Sequence, residues 1–269
     1  MSAKFGLIGG GVMGEALLSR LVAEKIYMPP EVVVSEPQSQ RRDFLAQQYG
    51  VSVTSENKAA FQAEVVLLAI KPQVFDAVAL KLTNQLSDRD RPPVVLSILA
   101  GVPLQKLEAA FPGCPVVRAM PNTPATVGAG MTAIAPGKLA DATHLEQART
   151  IFGAVGEVVE VPENLIDAVT GLSGSGPGYV AIAIEALTDG GVAAGLPRAI
   201  AAKLALQTVL GTAQLLHESG MHPAELKDRV TSPGGTTIAG IAQLEQAGFR
   251  SALMQAVKAA CDRAKELGS

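Results

Sequence analysis

The 269-residue sequence predicts an α/β domain over residues 1–162 that is followed by an all-α domain over residues 163–269. Short, continuous apolar runs recur through the first half, and this is typical of strands buried in a parallel sheet. A glycine-rich turn near the start separates one such run from a helix-like segment. From about Leu165 onward the strand signals stop and only helix-like segments follow, so the two domains differ in class.

The glycine-rich turn contains Gly9, Gly11 and Gly14, in the spacing G-x-G-x-x-G. In this pattern the first glycine allows a sharp turn out of a strand, and the second lets a pyrophosphate approach the backbone. The third lets the helix pack closely on the strand. Because the turn lies between a strand and a helix, it favours a Rossmann dinucleotide-binding domain over a glycine turn of purely structural use.

The remaining strands of the first domain follow in order. They are predicted at residues 32–35, 65–69, 94–98, 115–120, 131–135 and 157–161, with a helix over 145–152 before the last. Ligands of open α/β sheets bind outside the carboxyl ends of the strands. Lys71 and Asn122 follow two of these strands and are candidates for the nicotinamide side; a surface cation and a turn cap are the alternatives.

The end of the second strand carries two opposing signals for cofactor choice. An acid there hydrogen-bonds the ribose 2′-hydroxyl of NAD, whereas a nearby arginine accommodates the 2′-phosphate of NADP. This chain offers Ser35 and Glu36, but also Arg41 and Arg42. We expect NADPH, with NADH left open, and we expect Glu36→Ala to leave NADPH use intact.

Charge and cysteine usage exclude several classes of protein. The net charge is −3 and no long Lys/Arg cluster is present, so neither nucleic acid nor an anionic membrane is an expected partner. Cys114 and Cys261 lack metal-ligand spacing, which predicts reduced thiols, no metal and a cytoplasmic protein. No signal peptide is expected before the glycine turn, and prolines interrupt the longest uncharged runs.

The all-α domain contains two segments, 179–187 and 204–216, with few charges on any face. Helices that are apolar nearly all round must be buried, and a domain of this size has little room for two of them. The sequence therefore predicts an obligate homodimer. Glycine-rich breaks at 171–178 and 231–237 offer N–H groups before a helix, either as anion sites or as ordinary capped turns.

At this point the chain resembles the pyrroline-5-carboxylate reductase family over essentially its whole length. The matching motifs are Ala69-Ile70-Lys71-Pro72, residues 167–177, 189–192 with 195–198, and Ser232-Pro233-Gly234-Gly235-Thr236-Thr237. The resemblance implies a Rossmann domain, a helical dimerisation domain, an active site shared between subunits, and often a decamer built as a ring of five dimers. The implied reaction is hydride transfer from NAD(P)H to the imine carbon of 1-pyrroline-5-carboxylate. Its product is L-proline, so this is the last step of proline biosynthesis.

The resemblance also implies the site residues. Cofactor contacts are expected from Ile8, Gly9, Gly10, Gly11, Val12, Met13, Gly14, Ser35, Asn57, Ala69, Ile70, Lys71, Pro72, Ala100 and Gly101. Substrate contacts are expected from Glu163, Val230, Ser232, Gly234, Gly235, Thr236 and Thr237. Thr237 is the predicted catalytic residue, because its hydroxyl can hydrogen-bond the ring nitrogen of the substrate. The alternative for Thr237 is an N-terminal helix cap.

Two other classes share parts of this plan. A hydroxyacid dehydrogenase or imine reductase has the same two domains, but the dehydrogenase class places a catalytic lysine about one helical turn beyond the first glycine break. Here that region is Tyr179-Val180-Ala181. A non-catalytic NAD(P)-binding regulator has no need for the second glycine break. His144, His217 and His222 are expected to be surface residues rather than catalysts.

Overall fold

The computed structural model describes residues 3–84, 86 and 92–268. The first two residues of the predicted α/β domain and the last residue of the predicted all-α domain lie outside this range. The chain divides into two compact units. One contains the residues up to Ser175 together with those from Ala259 on, and the other contains Gly176–Lys258. This division differs from the boundary predicted between residues 162 and 163. The reason is that Ile166 is fully buried in the hydrophobic core of the first unit.

One eight-stranded sheet forms the centre of the first unit. Its strands are β1 Phe5–Ile8, β2 Val32–Ser35, β3 Ser52–Thr54, β4 Val65–Leu68, β5 Val94–Ser97, β6 Val116–Met120, β7 Gly130–Pro136 and β8 Gly156–Glu160. The order is β3-β2-β1-β4-β5-β6-β7-β8, and β6 and β7 pair antiparallel while the other neighbours are parallel. The predicted Rossmann α/β fold is therefore confirmed.

The register of the central strands fixes where a ligand can bind. Ile8 pairs with Ser35 of β2 on one side and with Leu68 of β4 on the other. The carboxyl ends of three neighbouring strands therefore lie level at one edge of the sheet. The strand order reverses between β1 and β4, and such a switch point opens a crevice at this edge.

Helices cover the two faces of the sheet. In the first unit they are α1 Val12–Ala23, α2 Ser39–Tyr49, α3 Asn57–Phe61, α4 Phe75–Thr83, α5 Leu104–Ala110, α6 Ala142–Gly153 and α7 Ile166–Val169. Alternate residues of the central strands enter opposite cores, for example Leu7 on one face and Ile8 on the other. This explains why the central strands are apolar at nearly every position. The short elements β3, α3 and α5 were not predicted from the sequence.

The second unit is helical throughout its regular elements, as predicted. It contains α8 Gly176–Ala193, α9 Arg198–Ser219, α10 Pro223–Arg229, α11 Thr236–Gln246 and the first half of α12 Phe249–Gly268. α8 and α9 pack closely, since a Cβ on Gly191 would lie 3.1 Å from the Ala201 Cβ. Within the single chain, however, their large apolar residues Ile182, Leu204 and Leu210 are exposed. Among the described residues, α9 alone is long and apolar enough to pass a length-and-composition test for a membrane-spanning helix.

The first glycine-rich break is helical. Thr170–Gly174 form a π-helical turn that continues α7, and the Ser175 N–H donates to the Thr170 carbonyl oxygen (2.8 Å). The prediction that a break at 171–178 offers N–H groups before a helix is therefore wrong. Asn122 holds the turn in place, because its Nδ2 donates to the Ser173 carbonyl oxygen (3.0 Å) while its Oδ1 accepts from the Met131 N–H (2.9 Å).

Candidate active site

The three glycines of the motif meet different surroundings. Gly9 has a φ of +103°, which favours glycine, and a Cβ on Gly14 would lie 2.2 Å from the Gly9 carbonyl oxygen. A Cβ on Gly11 would meet nothing within 4 Å. The first and third glycines are therefore required by the fold, whereas the second faces open space, as the motif predicts for the glycine that a pyrophosphate approaches.

The N–H groups of this turn are divided in the same way. Gly9 donates to the Ser35 carbonyl oxygen (2.8 Å), and Gly10 donates to Glu36 Oε2 (3.0 Å). Gly11 is the N-cap residue of α1 and provides no side-chain cap. The first N–H groups of α1 and the positive end of its dipole thus face the space beside Gly11. This arrangement suits a dinucleotide pyrophosphate.

The predicted cofactor residues of β4 and β5 lie at the same edge of the sheet. Ala69 donates to the Ile8 carbonyl oxygen (2.8 Å), and Lys71 is the N-cap residue of a 3₁₀ turn, Pro72–Val74. A cavity of about 650 Å³ opens beside the turn after β5. Its lining includes Pro72, Gln73, Ala100, Gly101, Lys106 and Leu267. Three of the predicted cofactor residues therefore border one cavity.

Ser35 and Asn57 meet at the carboxyl end of β2. The Ser35 hydroxyl donates to Asn57 Oδ1 (2.7 Å), and Ser35 is only 1% exposed. Asn57 is the first residue of α3 and is half-buried. Ser35 thus orients the Asn57 amide and leaves its NH₂ group as a hydrogen-bond donor.

The acid and the arginines after β2 bind parts of the chain itself. Glu36 is 8% exposed and accepts from the N–H groups of Gly10 and Gln38, each at 3.0 Å. Arg41 Nε donates to the Gly10 carbonyl oxygen (2.7 Å). Arg42 Nη1 donates to the carbonyl oxygens of Glu36 and Pro37, each at 2.8 Å. No sequence signal pointed to these contacts with the glycine turn.

Glu15 of α1 connects this group to the end of α2. Its carboxylate accepts from Arg41 Nη2 and from the Tyr49 hydroxyl (2.8 Å). Partial burial opposes ionisation of Glu15, but the hydrogen bonds from Arg41 and Tyr49 outweigh it and lower the pKa of Glu15. Burial, followed by the hydrogen bond to this carboxylate, raises the pKa of Tyr49 to about 12.

The predicted substrate residues from Val230 to Gly235 lie on the turn before α11, and Thr236 and Thr237 are the first two residues of that helix. Gly234 has a φ of +66°, and the Gly235 N–H donates to the Ser232 carbonyl oxygen (3.0 Å). Gly235 is the N-cap residue of α11, with no side-chain cap, and Thr237 is the second residue of the helix. The interpretation of Thr237 as the helix cap therefore does not hold.

Glu163 lies in the first unit, apart in sequence and unit from the other predicted substrate residues. Its Oε1 accepts from the Leu104 N–H at the start of α5 and from Arg118 Nη1 (3.1 Å). Arg118 is 6% exposed, and its Nη2 lies 4.0 Å from Asp167 Oδ1. This buried arginine was not singled out from the sequence, because it lies within an otherwise apolar strand.

Two of the three histidines take part in helix starts. His144 belongs to a capping box with Asp141 at the start of α6. His222 is the N-cap residue of α10, and its Nδ1 accepts from the Ala224 N–H (3.2 Å). These contacts give both residues structural roles.

Comparisons with known proteins assign the two parts of the chain. A family model described as pyrroline-5-carboxylate reductase dimerisation matches residues 163–267, and one described as NADP oxidoreductase, coenzyme F420-dependent, matches residues 4–101. A curated pyrroline-5-carboxylate reductase from Synechocystis sp. is 61% identical over 269 residues, covering 100% of this chain and 99% of the relative.

Solved structures agree with these matches. A pyrroline-5-carboxylate reductase from Coxiella burnetii is 36% identical with a TM-score of 0.92, and the match covers 100% of both chains. A pyrroline carboxylate reductase from Plasmodium falciparum, solved with NADP bound, is 32% identical with a TM-score of 0.87. That match covers 99% of this chain and 98% of the other.

Proposed function

Because the chain belongs to the pyrroline-5-carboxylate reductase family, we propose that the turn before α11 binds 1-pyrroline-5-carboxylate and the glycine turn binds the reducing cofactor. The enzyme reduces the C=N bond of this substrate and forms L-proline. The observation that carries the assignment of the substrate turn is the open start of α11. Gly235 caps this helix without a side chain, so its first N–H groups stay available for a carboxylate.

Thr237 is the proposed catalytic residue. As the second residue of α11 it is not used as a cap, so its hydroxyl is free to donate to the ring nitrogen of a substrate whose carboxylate binds the helix start. The nicotinamide, when bound, supplies the hydride. The Thr237 hydroxyl then has two tasks, which are to orient the imine and to pass a proton to the nitrogen as it becomes an amine.

The remaining substrate residues have different proposed tasks. Ser232, Gly234, Gly235 and Thr236 shape the turn or supply backbone N–H groups, and Val230 adds apolar surface. Glu163 is also proposed to contact the substrate, although its Oε1 already accepts hydrogen bonds from Arg118 and from the Leu104 N–H at the start of α5. Its proposed contribution therefore depends on Arg118 holding it in place.

NADPH is the proposed cofactor, with NADH as the alternative. The Plasmodium relative was solved with NADP, and a family model named for NADP covers residues 4–101. The open space at Gly11 and the N–H groups at the start of α1 fit the pyrophosphate. The Asn57 NH₂ group, oriented by Ser35, is the proposed donor on the adenosine side.

The proposed assembly is a homodimer in the cytoplasm, with the active site shared between subunits and five dimers forming a ring. The dimer is supported by the dimerisation model over residues 163–267 and by the exposed apolar residues of α8 and α9. The shared site, the ring and the location are what the family resemblance implies. The proposal gives the apolar surface of α9 a protein partner instead of a membrane.

The test is an assay of NADPH oxidation by purified protein with 1-pyrroline-5-carboxylate, together with detection of proline. We expect turnover with this substrate and none with short hydroxyacids and NADP. Hydroxyacid oxidation without imine reduction would favour the dehydrogenase alternative. Dinucleotide binding without turnover of either substrate would favour the non-catalytic regulator.

A further inference from the structure

Both backbone groups of Gly10 are bound by side chains from the region after β2. The Gly10 N–H donates to Glu36 Oε2 (3.0 Å), and the Gly10 carbonyl oxygen accepts from Arg41 Nε (2.7 Å). Gly10 lies directly before Gly11, the glycine that faces open space. Two side chains of opposite charge thus hold the turn at the residue next to the expected pyrophosphate.

The carboxylate side of this arrangement is rigid. Glu36 is 8% exposed, and its second oxygen accepts from the Gln38 N–H (3.0 Å). Two backbone dipoles therefore compensate the buried charge. A Cβ on Gly10 would lie 2.6 Å from Leu45 Cδ1 and 3.5 Å from Glu36 Oε2, so a side chain at position 10 would collide with this packing.

The arginine side is equally committed. Besides Gly10, the Arg41 guanidinium binds the Glu15 carboxylate, and its Cζ lies 5.1 Å from the centre of the Phe44 ring. Tyr49 holds the other oxygen of Glu15 (2.8 Å). Because the guanidinium already has a carbonyl, a carboxylate and an aromatic face, reaching a 2′-phosphate would break contacts that connect α1 and α2.

We propose that Glu36 and Arg41 form a clamp on Gly10 that fixes the glycine turn in its binding shape for either dinucleotide. In this role they are positioning residues and do not read the 2′ position of the cofactor. A turn with four glycines among six residues has large backbone freedom, and ordering it only on binding would weaken affinity. The clamp orders it when the protein folds.

This inference rests on the proposed dinucleotide site, and it revises one expectation from the sequence. The sequence alone places Glu36 only as a possible neighbour of the ribose and therefore predicts that Glu36→Ala leaves NADPH use intact. The Gly10 contact instead predicts that this change weakens binding of NADPH and of NADH alike. If Glu36 only positions the turn, the ratio of the NADPH and NADH affinities stays constant in the variant. If Glu36 contacts the 2′ group of the cofactor, the ratio changes.

The test compares Glu36→Ala, Glu36→Gln, Arg41→Ala and Arg41→Lys with wild type. Dissociation constants for NADPH and NADH are measured by calorimetry, and amide hydrogen exchange of residues 9–14 is followed in the free protein. We expect both alanine variants to lose about tenfold in affinity for each cofactor, with faster exchange of the turn. Glu36→Gln should lose less, because it keeps one acceptor, and Arg41→Lys should not restore binding, because an ammonium lacks the fork.

Two controls remove a matched side chain elsewhere in the first unit. Glu31→Ala loses an ion pair with Lys4 and a hydrogen bond from the Met28 N–H, and Arg149→Ala loses an exposed pair with Glu160. Neither should change affinity or exchange of the turn. Melting temperatures of all variants identify any that simply unfold, and for those the exchange of residues 9–14 is read at a temperature where the protein is folded.

Three results would overturn the clamp. One is a Glu36→Ala variant that gains NADPH affinity while it loses NADH affinity. That result would mean that the Glu36 carboxylate of the wild type faces the ribose. Another is an Arg41→Ala variant that loses NADPH affinity alone. The third is unchanged affinity and exchange in both variants. A wild-type protein that binds dinucleotides but does not reduce 1-pyrroline-5-carboxylate would refute the proposed function and leave the clamp standing.

Discussion

An added side chain should affect two glycines of the same turn differently, lowering dinucleotide affinity at Gly11 and stability at Gly14. Gly11 has a φ of −70° and open space at its Cβ position, so Gly11→Val should fold normally. It should nevertheless lose about tenfold or more in dinucleotide affinity, because the side chain fills the place of the pyrophosphate. Gly14→Ala should instead lower the melting temperature, since its Cβ would lie 2.2 Å from the Gly9 carbonyl oxygen.

Calorimetry with NADPH and thermal unfolding on both variants measure this contrast. A Gly11→Val protein that binds NADPH as tightly as wild type does would show that the pyrophosphate does not bind beside Gly11. A Gly14→Ala protein as stable as wild type would mean that the turn can relax away from α1.

Thr237 offers a second test at the residue scale. Thr237→Ala should lower kcat/KM by about 10²–10⁴-fold, the range for loss of a group that transfers a proton. The melting temperature should stay near that of wild type, because Gly235 and not Thr237 caps α11. Thr237→Ser keeps the hydroxyl and is the matched control. Near-normal turnover with a lowered melting temperature would reduce Thr237 to a structural residue.

The sequence allows some of these residues to be predicted and others not. Gly9, Gly11 and Gly14 could be predicted because the dinucleotide-binding turn needs residues without a side chain at three fixed positions, and this produces a recognisable spacing. The partners of Gly10 left no such trace. Glu36 and Arg41 lie 26 and 31 positions away, and only the folded course of the chain after β2 turns them towards the glycine turn.

Among the secondary-structure elements, the buried strands were the most predictable. β4 and β5 are apolar at nearly every position because both faces of the sheet are covered. β3 has three residues and α3 has five, which is too short for a hydrophobic period to be recognised. The glycines of 171–178 predict a break because several glycines usually end a helix, whereas a hydrogen bond from Asn122 to the Ser173 carbonyl oxygen holds Thr170–Gly174 in a π-helical turn.

The role of Asn122 in that turn is testable. Asn122→Ala removes a donor to the Ser173 carbonyl oxygen and an acceptor for the Met131 N–H, and it leaves both backbone groups without this partner. We expect a loss of about 1–3 kcal/mol in the free energy of unfolding and faster amide exchange at residues 170–174. Urea unfolding measures the first quantity. The exposed Gln48 of α2 provides the control, and equal stability of Asn122→Ala and Gln48→Ala would contradict the assigned role.

At the scale of the whole molecule, the second unit is incomplete as a single chain. Few residues of α8 and α9 are buried, although both helices are rich in leucine, isoleucine and alanine. The sequence pattern of nearly uncharged helices predicted that these surfaces need a cover, and their exposure in one chain agrees with that need. Neither pattern nor fold reveals the number of dimers in a larger assembly, since that depends on surfaces without a recognisable period.

The dimer itself can be tested at Leu210 of α9, which is 56% exposed in the single chain. Within one chain this side chain packs little against the rest of the protein, whereas a symmetric interface would bury it twice, at about 1.5–3 kcal/mol for each copy. Leu210→Glu should therefore shift the protein towards monomers in sedimentation. It should also lower the melting temperature, which in wild type should rise with protein concentration. Leu80→Glu on α4, where the leucine is 73% exposed, is the matched control and should leave the assembly unchanged. An active wild-type monomer at nanomolar concentration, or a Leu210→Glu protein that stays dimeric, would contradict an interface built on α9.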